Sequence, residues 1–270
     1  MSDNLRYSGL SDVGRARKRN EDSWNADPVG GLFIVADGMG GHLSGNVASR
    51  IVVEALPPLI FASLDGVMDI TSVEAAEKVC GAISRLSERM RAESDGKPGF
   101  SGMGSTLVMA LVRDGVALVA HLGDSRAYIL RNGVLRMLTR DHSVVQFLYD
   151  SGEITSDEME KHPARNQITR YVGMGGEAEA EARAFPLAPG DRILLCSDGL
   201  TGMVDEARIT TALLGEPDTE LACNKLVNLA NDSGGKDNIT VVILDWMGAD
   251  SGGAVMDDYK TTIILPTKRA

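Results

Sequence analysis

The sequence predicts an α+β fold, with helices layered on antiparallel β-sheets, from three observations. Strand-like runs at 105–112, 116–121, 126–130 and 134–138 are separated by short turns, two of which, Arg113-Asp114-Gly115 and Arg131-Asn132-Gly133, have hairpin chemistry. Helical periodicity arrives in groups, at about 45–60 and 72–92 and again at 205–214 and 219–231. Such grouping departs from the strand–helix alternation of a parallel doubly wound sheet. With 270 residues and 43% apolar content, the chain can bury the core of one large sandwich, a class that runs to roughly 200–250 residues.

Each element follows in order. Leu5–Leu10 reads as a first strand, and Leu32–Ala36 is a continuous apolar run suited to a buried one. From Gly45 to Ile60, the residues Val47, Ile51, Val52, Ala55 and Leu59 recur at helical spacing, and Pro57-Pro58 is expected to disturb the end. A second helix, from about Ser72 to Ala92, places Val73, Ala76, Val79, Cys80, Ile83, Leu86 and Met90 on one face, with Ser72 as N-cap. After a loop at Glu93–Gly104, the four strand-like runs are expected to form an antiparallel meander. Ser143–Asp150 and Ser156–Lys161 read as helical, and the irregular, polar stretch to Gly176 reads as a mobile subdomain rather than framework. Helices at Asp205–Leu214 and Thr219–Asn231 precede a last strand at Ile239–Trp246. Residues 248–270 are expected to be a flexible tail. Within it, Asp257–Pro266 could add a strand to a sheet edge, tether a partner, carry phosphorylatable threonines or be disordered.

A net charge of −11 disfavours nucleic acid or an anionic membrane as partner. An anionic substrate would need a local reversal of sign, which metal ions can supply. Three scattered cysteines, Cys80, Cys196 and Cys223, without a CxxC pattern, suit a reducing compartment. The polar start Met1–Arg6 lacks the apolar stretch of a signal peptide, and the longest apolar runs fall short of the ~20 residues that span a bilayer. The expectation is a cytoplasmic protein.

Four aspartates carry the chemistry. Asp37 follows Leu32–Ala36, Asp124 follows Val116–Gly123, Asp198 follows Ile193–Ser197, and Asp237 precedes Ile239–Leu244. One carboxylate at a strand end is a turn former. Four that converge, with Glu21-Asp22 beside them, crowd like charges together, and a hard divalent cation held by oxygens relieves that crowding. The Arg17-Lys18-Arg19-Asn20-Glu21-Asp22 run can be a solvated loop. Beside a metal cluster, one of its arginines can hold phosphate bidentately. Carboxylates plus arginine, with no protein nucleophile, suit attack by a metal-activated water.

Other patterns fall away. Gly173-Met174-Gly175-Gly176-Glu177-Ala178 satisfies GxGxxA, but the acidic run after it would meet a pyrophosphate with negative charge. Gly234-Gly235-Lys236 lacks the remainder of a P-loop, and no cysteine has an arginine at thiolate-phosphatase spacing. Histidine is confined to His42, His121, His142 and His162, without zinc-binding spacing. His121 reads as structural and His162 as exposed.

In order along the chain, Arg17-x-x-Asn20-Glu21-Asp22, Asp37-Gly38-Met39-Gly40-Gly41-His42, Gly123-Asp124-Ser125-Arg126, Ser197-Asp198-Gly199-Leu200 and Gly235-Lys236-Asp237-Asn238 resemble the motifs of the type 2C (PPM family), metal-dependent Ser/Thr protein phosphatases, in their bacterial version. Ser11-Asp12-Val13-Gly14 and Ile168-Thr169-Arg170 agree, and the match covers about Leu5 to Trp246. The resemblance implies a four-layer αββα sandwich of two antiparallel β-sheets flanked by helices, with a catalytic domain at 1–247 and a flap at about 143–172. It implies two Mn²⁺ or Mg²⁺ ions, with a third ion nearby in some members. Asp37 and the Gly38 carbonyl, Asp198 and Asp237 would be metal ligands, Asp124 would hold the third ion, and Glu21 and Asp22 would bind through or orient metal waters. Arg17 would clamp phosphate, and Asn238 would orient Asp237 or a metal water. A hydroxide bridging the metals would attack phosphoserine or phosphothreonine directly. The implied partners are phosphoprotein substrates and an opposing bacterial-type Ser/Thr kinase, and the implied state is a monomer.

Two departures from the family pattern stand out. Animal members carry a histidine after the Asp-Gly pair where this chain has Met39, which leaves leaving-group protonation to a metal-bound water, to His42 or to no group. Asn46 stands where bacterial members commonly have an acid. Two other functions bear on the same residues: a silent relative that binds phosphopeptides, which would not need so costly an acidic cluster, and a nucleotide hydrolase, for which no aromatic-lined base pocket is evident.

Overall fold

In the computed structural model, residues 4–40, 44–97, 100 and 102–248 are described. His42 and residues 249–270, including the Asp257–Pro266 peptide, lie outside them. The chain begins with β1 (Leu5–Asp12), β2 (Asp22–Asp27) and β3 (Leu32–Met39), followed by α1 (Ser44–Ser63) and α2 (Val73–Ser94). Then come β4 (Gly104–Ser105), β5 (Leu107–Arg113), β6 (Val116–Leu122), β7 (Arg126–Arg131) and β8 (Val134–Met137). Two short helices, α3 (Val144–Asp150) and α4 (Ser156–Met159), lead to β9 (Glu181–Pro186) and β10 (Arg192–Cys196). The chain closes with α5 (Asp198–Thr201), α6 (Glu206–Leu214), α7 (Thr219–Asp232) and β11 (Ile239–Trp246).

Two antiparallel sheets stack face to face. One has the order β1-β11-β10-β7-β8, and the other has β2-β3-β5-β6-β9 with β4 paired to β3. Between them lie Phe33, Val35, Val108, Ile129, Leu195 and Val242, all buried. The alternate residues of the same strands, such as Leu32, Ile34 and Met109, turn outward under α1 and α2. Leu194, Cys196, Val241 and Ile243 are covered by α5, α6 and α7 in the same way. The predicted four-layer sandwich is therefore the observed one, and burial on both faces explains why its central strands read as unbroken apolar runs.

Three expectations need correction. The prolines do not end the first helix, which continues to Ser63. Pro57 leaves the Val53 carbonyl without its helical donor, and Asn25 Nδ2 on β2 donates to that carbonyl at 2.8 Å. Burial of Leu56 and Ile60 holds the helix down on either side.

The expected meander is in fact two hairpins. β5 pairs with β6 in one sheet, and β7 pairs with β8 in the other. Asp114 and Asn132 take the left-handed φ of 51° that their turns demand. The chain changes sheets at Gly123-Asp124-Ser125, where Gly123 has φ 117°.

Two edge strands, β2 and β9, had no predicted counterpart. In β2 only Trp24 and Ala26 are apolar, and they pack against the core between the sheets while Ser23 and Asn25 alternate with them. β9 continues a stretch in which Ala178, Ala180 and Ala182 are buried at period two under α2, their small side chains admitting Ser84 Oγ to the Ala178 carbonyl at 3.0 Å. His162 is half-buried rather than exposed, and its Nδ1 accepts the Ala164 N–H at 3.1 Å. His121 is structural, as expected, and buried in β6.

Candidate active site

The acids converge because both sheets end their strands at the same edge. Antiparallel register sets Asp22 opposite Asp37 on β2 and β3, and the Gly38 N–H donates to the Glu21 carbonyl at 3.1 Å. Asp37 is fixed by its main chain. Its N–H donates to Thr106 Oγ1 at 3.0 Å, and its carbonyl accepts the Thr106 N–H at 2.8 Å and Ser105 Oγ at 3.0 Å.

From the opposite sheet, Ser197 at the end of β10 donates its hydroxyl to Asp22 Oδ2 at 2.8 Å and accepts the Thr240 N–H at 3.0 Å. Asp198 follows at the first turn of α5. Its neighbour Gly199 lies so close to β11 that an added Cβ would stand 1.8 Å from the Asn238 carbonyl. Gly38 is equally confined, with the Gly45 carbonyl 2.0 Å from any Cβ.

Burial, then Asp198 and Asp237, hold the Asp22 carboxyl up at about 7 against hydrogen bonds from Thr240 and Ser197. Asp37 is raised well above the carboxylate range by burial and by Asp22, Asp198, Asp124 and Asp237. Asp124 rises to about 8 through burial, Asp198 and Asp141, and Asp198 is raised by burial and Asp237. Asp198 and Asp237 bear on both Asp22 and Asp37, and a hydrogen bond with Asp37 partly offsets the rise of Asp198, so these acids share one space.

The donor set fits divalent cations. Buried Asp22 Oδ1 and Asp198 Oδ1 have no hydrogen-bond partner, an expensive state for carboxylate oxygens that a hard cation would relieve.

Arg17 sits at the rim, its guanidinium half-exposed and 2.7 Å from Asp237 Oδ2. Glu21 directs its carboxyl at the start of α1, 2.7 Å from where a Cβ on Gly45 would lie. Asn238 reaches both Asp237 and the loop between β1 and β2. Its main-chain N–H donates to Asp237 Oδ1 at 2.9 Å, and its side chain ties down that loop. Oδ1 accepts the Glu21 N–H at 2.8 Å, and Nδ2 donates to the Val13 and Arg19 carbonyls, both at 2.9 Å.

Beside the acids opens a recess of about 590 Å³ whose lining includes Asp124, Asp198 and Asp237 together with Ser143, Arg165 and Asn166. Of the predicted site residues, Asp124, Asp198 and Asp237 line this recess; Asp22 and Asp37 pair beside them on β2 and β3, Arg17 bonds Asp237, and Glu21 and Asn238 are joined through the loop that carries Arg17. Sequence reasoning missed Ser197, Thr106 and the Arg126–Asp141 pair, joined at 2.9 and 2.7 Å. Ser197 and Arg126 stood inside quoted motifs, whereas Thr106 and Asp141 carried no signal of their own.

A model of the protein phosphatase 2C family matches residues 14–240. The serine/threonine phosphatase stp of Listeria monocytogenes serotype 4b is 36% identical over 248 residues, covering 87% of this chain and 93% of that protein. The serine/threonine protein phosphatase PstP of Mycobacterium tuberculosis is 39% identical over 92% of this chain, which spans only 46% of PstP. Among solved structures, the S. agalactiae serine/threonine phosphatase superposes with a TM-score of 0.81 at 33% identity, covering 90% of this chain and all of that one. The PstP catalytic domain in complex with two manganese ions superposes at 0.72 with 34% identity, covering 91% and 99%.

Proposed function

The chain belongs to the protein phosphatase 2C family and is a metal-dependent serine/threonine protein phosphatase; from that premise we propose which residues perform the reaction. Asp37, the Gly38 carbonyl, Asp198 and Asp237 would hold a pair of Mn²⁺ or Mg²⁺ ions, Asp124 a third, and Asp22 and Glu21 the water around them. Ions bound there would lower the pKa of a water to near neutrality and draw charge from the phosphate. The observation that carries this reading is the meeting of Asp22, Asp37 and Asp198 where the two sheets end, with two buried carboxylate oxygens left without a hydrogen-bond partner.

The chain's own groups do the rest. Arg17, at the rim beside Asp237, is placed to exchange that partner for phosphate oxygens and orient the ester. Asn238 keeps Arg17 and Glu21 in register by holding both ends of their loop. The Asp22 carboxyl, held by the Ser197 hydroxyl at 2.8 Å, would orient the attacking water. Segment 143–172, at the recess, would seat the polypeptide flanking the phosphorylated residue and limit water access. His42 or solvent would protonate the departing serine or threonine oxygen.

The catalytic unit would be residues 1–247, with 248–270 as an appendage. Three free, buried cysteines support a reducing, cytoplasmic location, and among the described residues no helix is long and apolar enough to cross a membrane. A monomer opposing a bacterial-type Ser/Thr kinase completes the proposal. Hydrolysis of a phosphothreonine peptide tests it. Turnover should require Mn²⁺ or Mg²⁺ and stop on chelation, whereas chelator-insensitive turnover would contradict it.

A further inference from the structure

His142 and Glu181 lie outside the acidic centre and join three distant parts of the chain. Gly123 donates its N–H to His142 Nδ1 at 3.2 Å and accepts the His142 N–H at 2.9 Å. A ring nitrogen that accepts carries no proton, so the ring proton sits on Nε2, which lies 3.2 Å from Glu181 Oε1 on β9. The His142 carbonyl accepts the Thr169 N–H at 2.8 Å, and the adjoining Ser143 bridges Ile168. Those two contacts close the root of segment 143–172.

The His142 ring also stacks on His121, with centroids 4.6 Å apart and planes at 16°. Burial and the neighbouring His142 hold His121 down at about 4, so it packs as an uncharged ring at neutral pH. Burial works to raise Glu181, but the His142 hydrogen bond and the nearby His121 and Arg183 outweigh it, and the carboxyl falls to about 2.

The three side chains offer donor atoms within 4.8 Å of one another, the reach of a metal site. Tautomer and charge argue for a different use. A cation would have to expel the Nε2 proton and stand beside Arg170 and Arg183, whose guanidiniums are 3.7 and 3.8 Å from the same carboxylate. The cluster is a hydrogen-bonded brace.

We propose that the His142–Glu181 pair couples the root of segment 143–172 to the Gly123-Asp124 turn, so that cation binding at Asp124 and ordering of that segment strengthen each other. His142 is a positioning residue, reaching the centre only through Gly123. The coupling is reciprocal: whatever factor the cation adds to segment order, an ordered segment adds to cation affinity. The inference rests on the reading of Asp124 as a cation ligand.

The test uses the full chain, stripped by chelator, with Mn²⁺ alone as the probe. It follows amide exchange at Thr169 and tryptic cleavage after Lys161 and Arg165. In the unaltered protein, Mn²⁺ should slow both by about fivefold or more, the lower end of ordinary coupling energies. His142→Phe keeps a stacked ring without its nitrogens. It should reduce that slowing to less than about twofold, while Mn²⁺ still raises the melting temperature through Asp37 and Asp198. Glu181→Gln retains an acceptor for Nε2 and should preserve the slowing, whereas Glu181→Ala should lose it and serves if His142→Phe does not fold.

Full slowing in a folded His142→Phe protein, or none in the unaltered protein, would overturn the brace. Asp124→Asn separates the two readings. If it responds to Mn²⁺ as the unaltered protein does, Asp124 is not the ligand; if it alone loses the response while His142→Phe keeps it, the ligand reading stands and the brace fails.

Discussion

Arg17 and Asp237, 220 residues apart in sequence, meet through a 2.7 Å contact between Nη2 and Oδ2 at the rim of the acidic hollow. The pair is half-exposed, so it adds little to stability. In the proposed reaction it keeps a guanidinium at the rim, where it can exchange Asp237 for phosphate oxygens. Arg17→Ala should therefore lower kcat/KM for a phosphothreonine peptide by about tenfold or more, the worth of one or two charge-assisted hydrogen bonds. The Mn²⁺ dissociation constant should move by less than about threefold. Steady-state kinetics and a calorimetric Mn²⁺ titration check both, and a larger change in metal binding than in kcat/KM would place Arg17 in the wrong role.

Asp198→Asn and Asp37→Asn preserve shape while removing charge. Each should cut kcat by at least about 10³-fold, more than the roughly 10²–10³ of a single oxyanion-hole donor. Because burial and neighbouring acids disfavour the charged form of both carboxyls, the chelated variants should melt no lower than the chelated parent. A melt several degrees lower would show these acids to be structural.

The raised carboxyls also set a pH dependence. Asp22 and Asp124 stand at about 7 and about 8, above the ~4 of an unfolded aspartate. Between those limits the folded state binds more protons than the unfolded one, so stability falls as pH rises. The chelated protein should melt at a lower temperature at pH 8.5 than at pH 5.5, and Mn²⁺ should restore the loss at pH 8.5. A chelated melting temperature that rises over this range would contradict the raised carboxyls.

Asn25→Ala tests the helix that passes through two prolines. Without Asn25 Nδ2, the Val53 carbonyl loses the donor that replaces Pro57. The cost should be about 1–3 kcal/mol. At roughly 2–4 °C per kcal/mol for a domain of this size class, thermal melting should show the drop with kcat little changed. An unchanged melting temperature would mean that α1 does not depend on this bond.

Much of this was legible in the sequence, and for physical reasons. Strands buried on both faces, such as β3, β10 and β11, announce themselves as apolar runs, and the carboxylates at their ends mark where the sheets stop. Ser72, read as an N-cap, does accept the Ala75 N–H at 3.1 Å. Edge strands were harder to see. β2 offers only Trp24 and Ala26 as apolar residues, and its pairing rests on register with β3, which no local pattern encodes. The alanines before β9 alternate with glutamates, so their period-two signal was weak in hydrophobicity although real in burial. The division of four strands between two sheets turned on Gly123 and on packing that no local pattern encodes. Asn238 was recognised by its neighbour Asp237, yet its side chain serves Val13, Arg19 and Glu21, partners more than 200 residues away.

The proposed reaction requires Asp37, Asp198 and Asp237 to hold two ions in one hollow. Mn²⁺ titrated into the chelator-stripped protein, followed by low-temperature electron paramagnetic resonance, tests this most directly. The predicted result is two tightly bound ions with the spectrum of a spin-coupled pair, lost in Asp37→Asn. A single isolated Mn²⁺ signal, or a coupled pair that persists in Asp37→Asn, would contradict it.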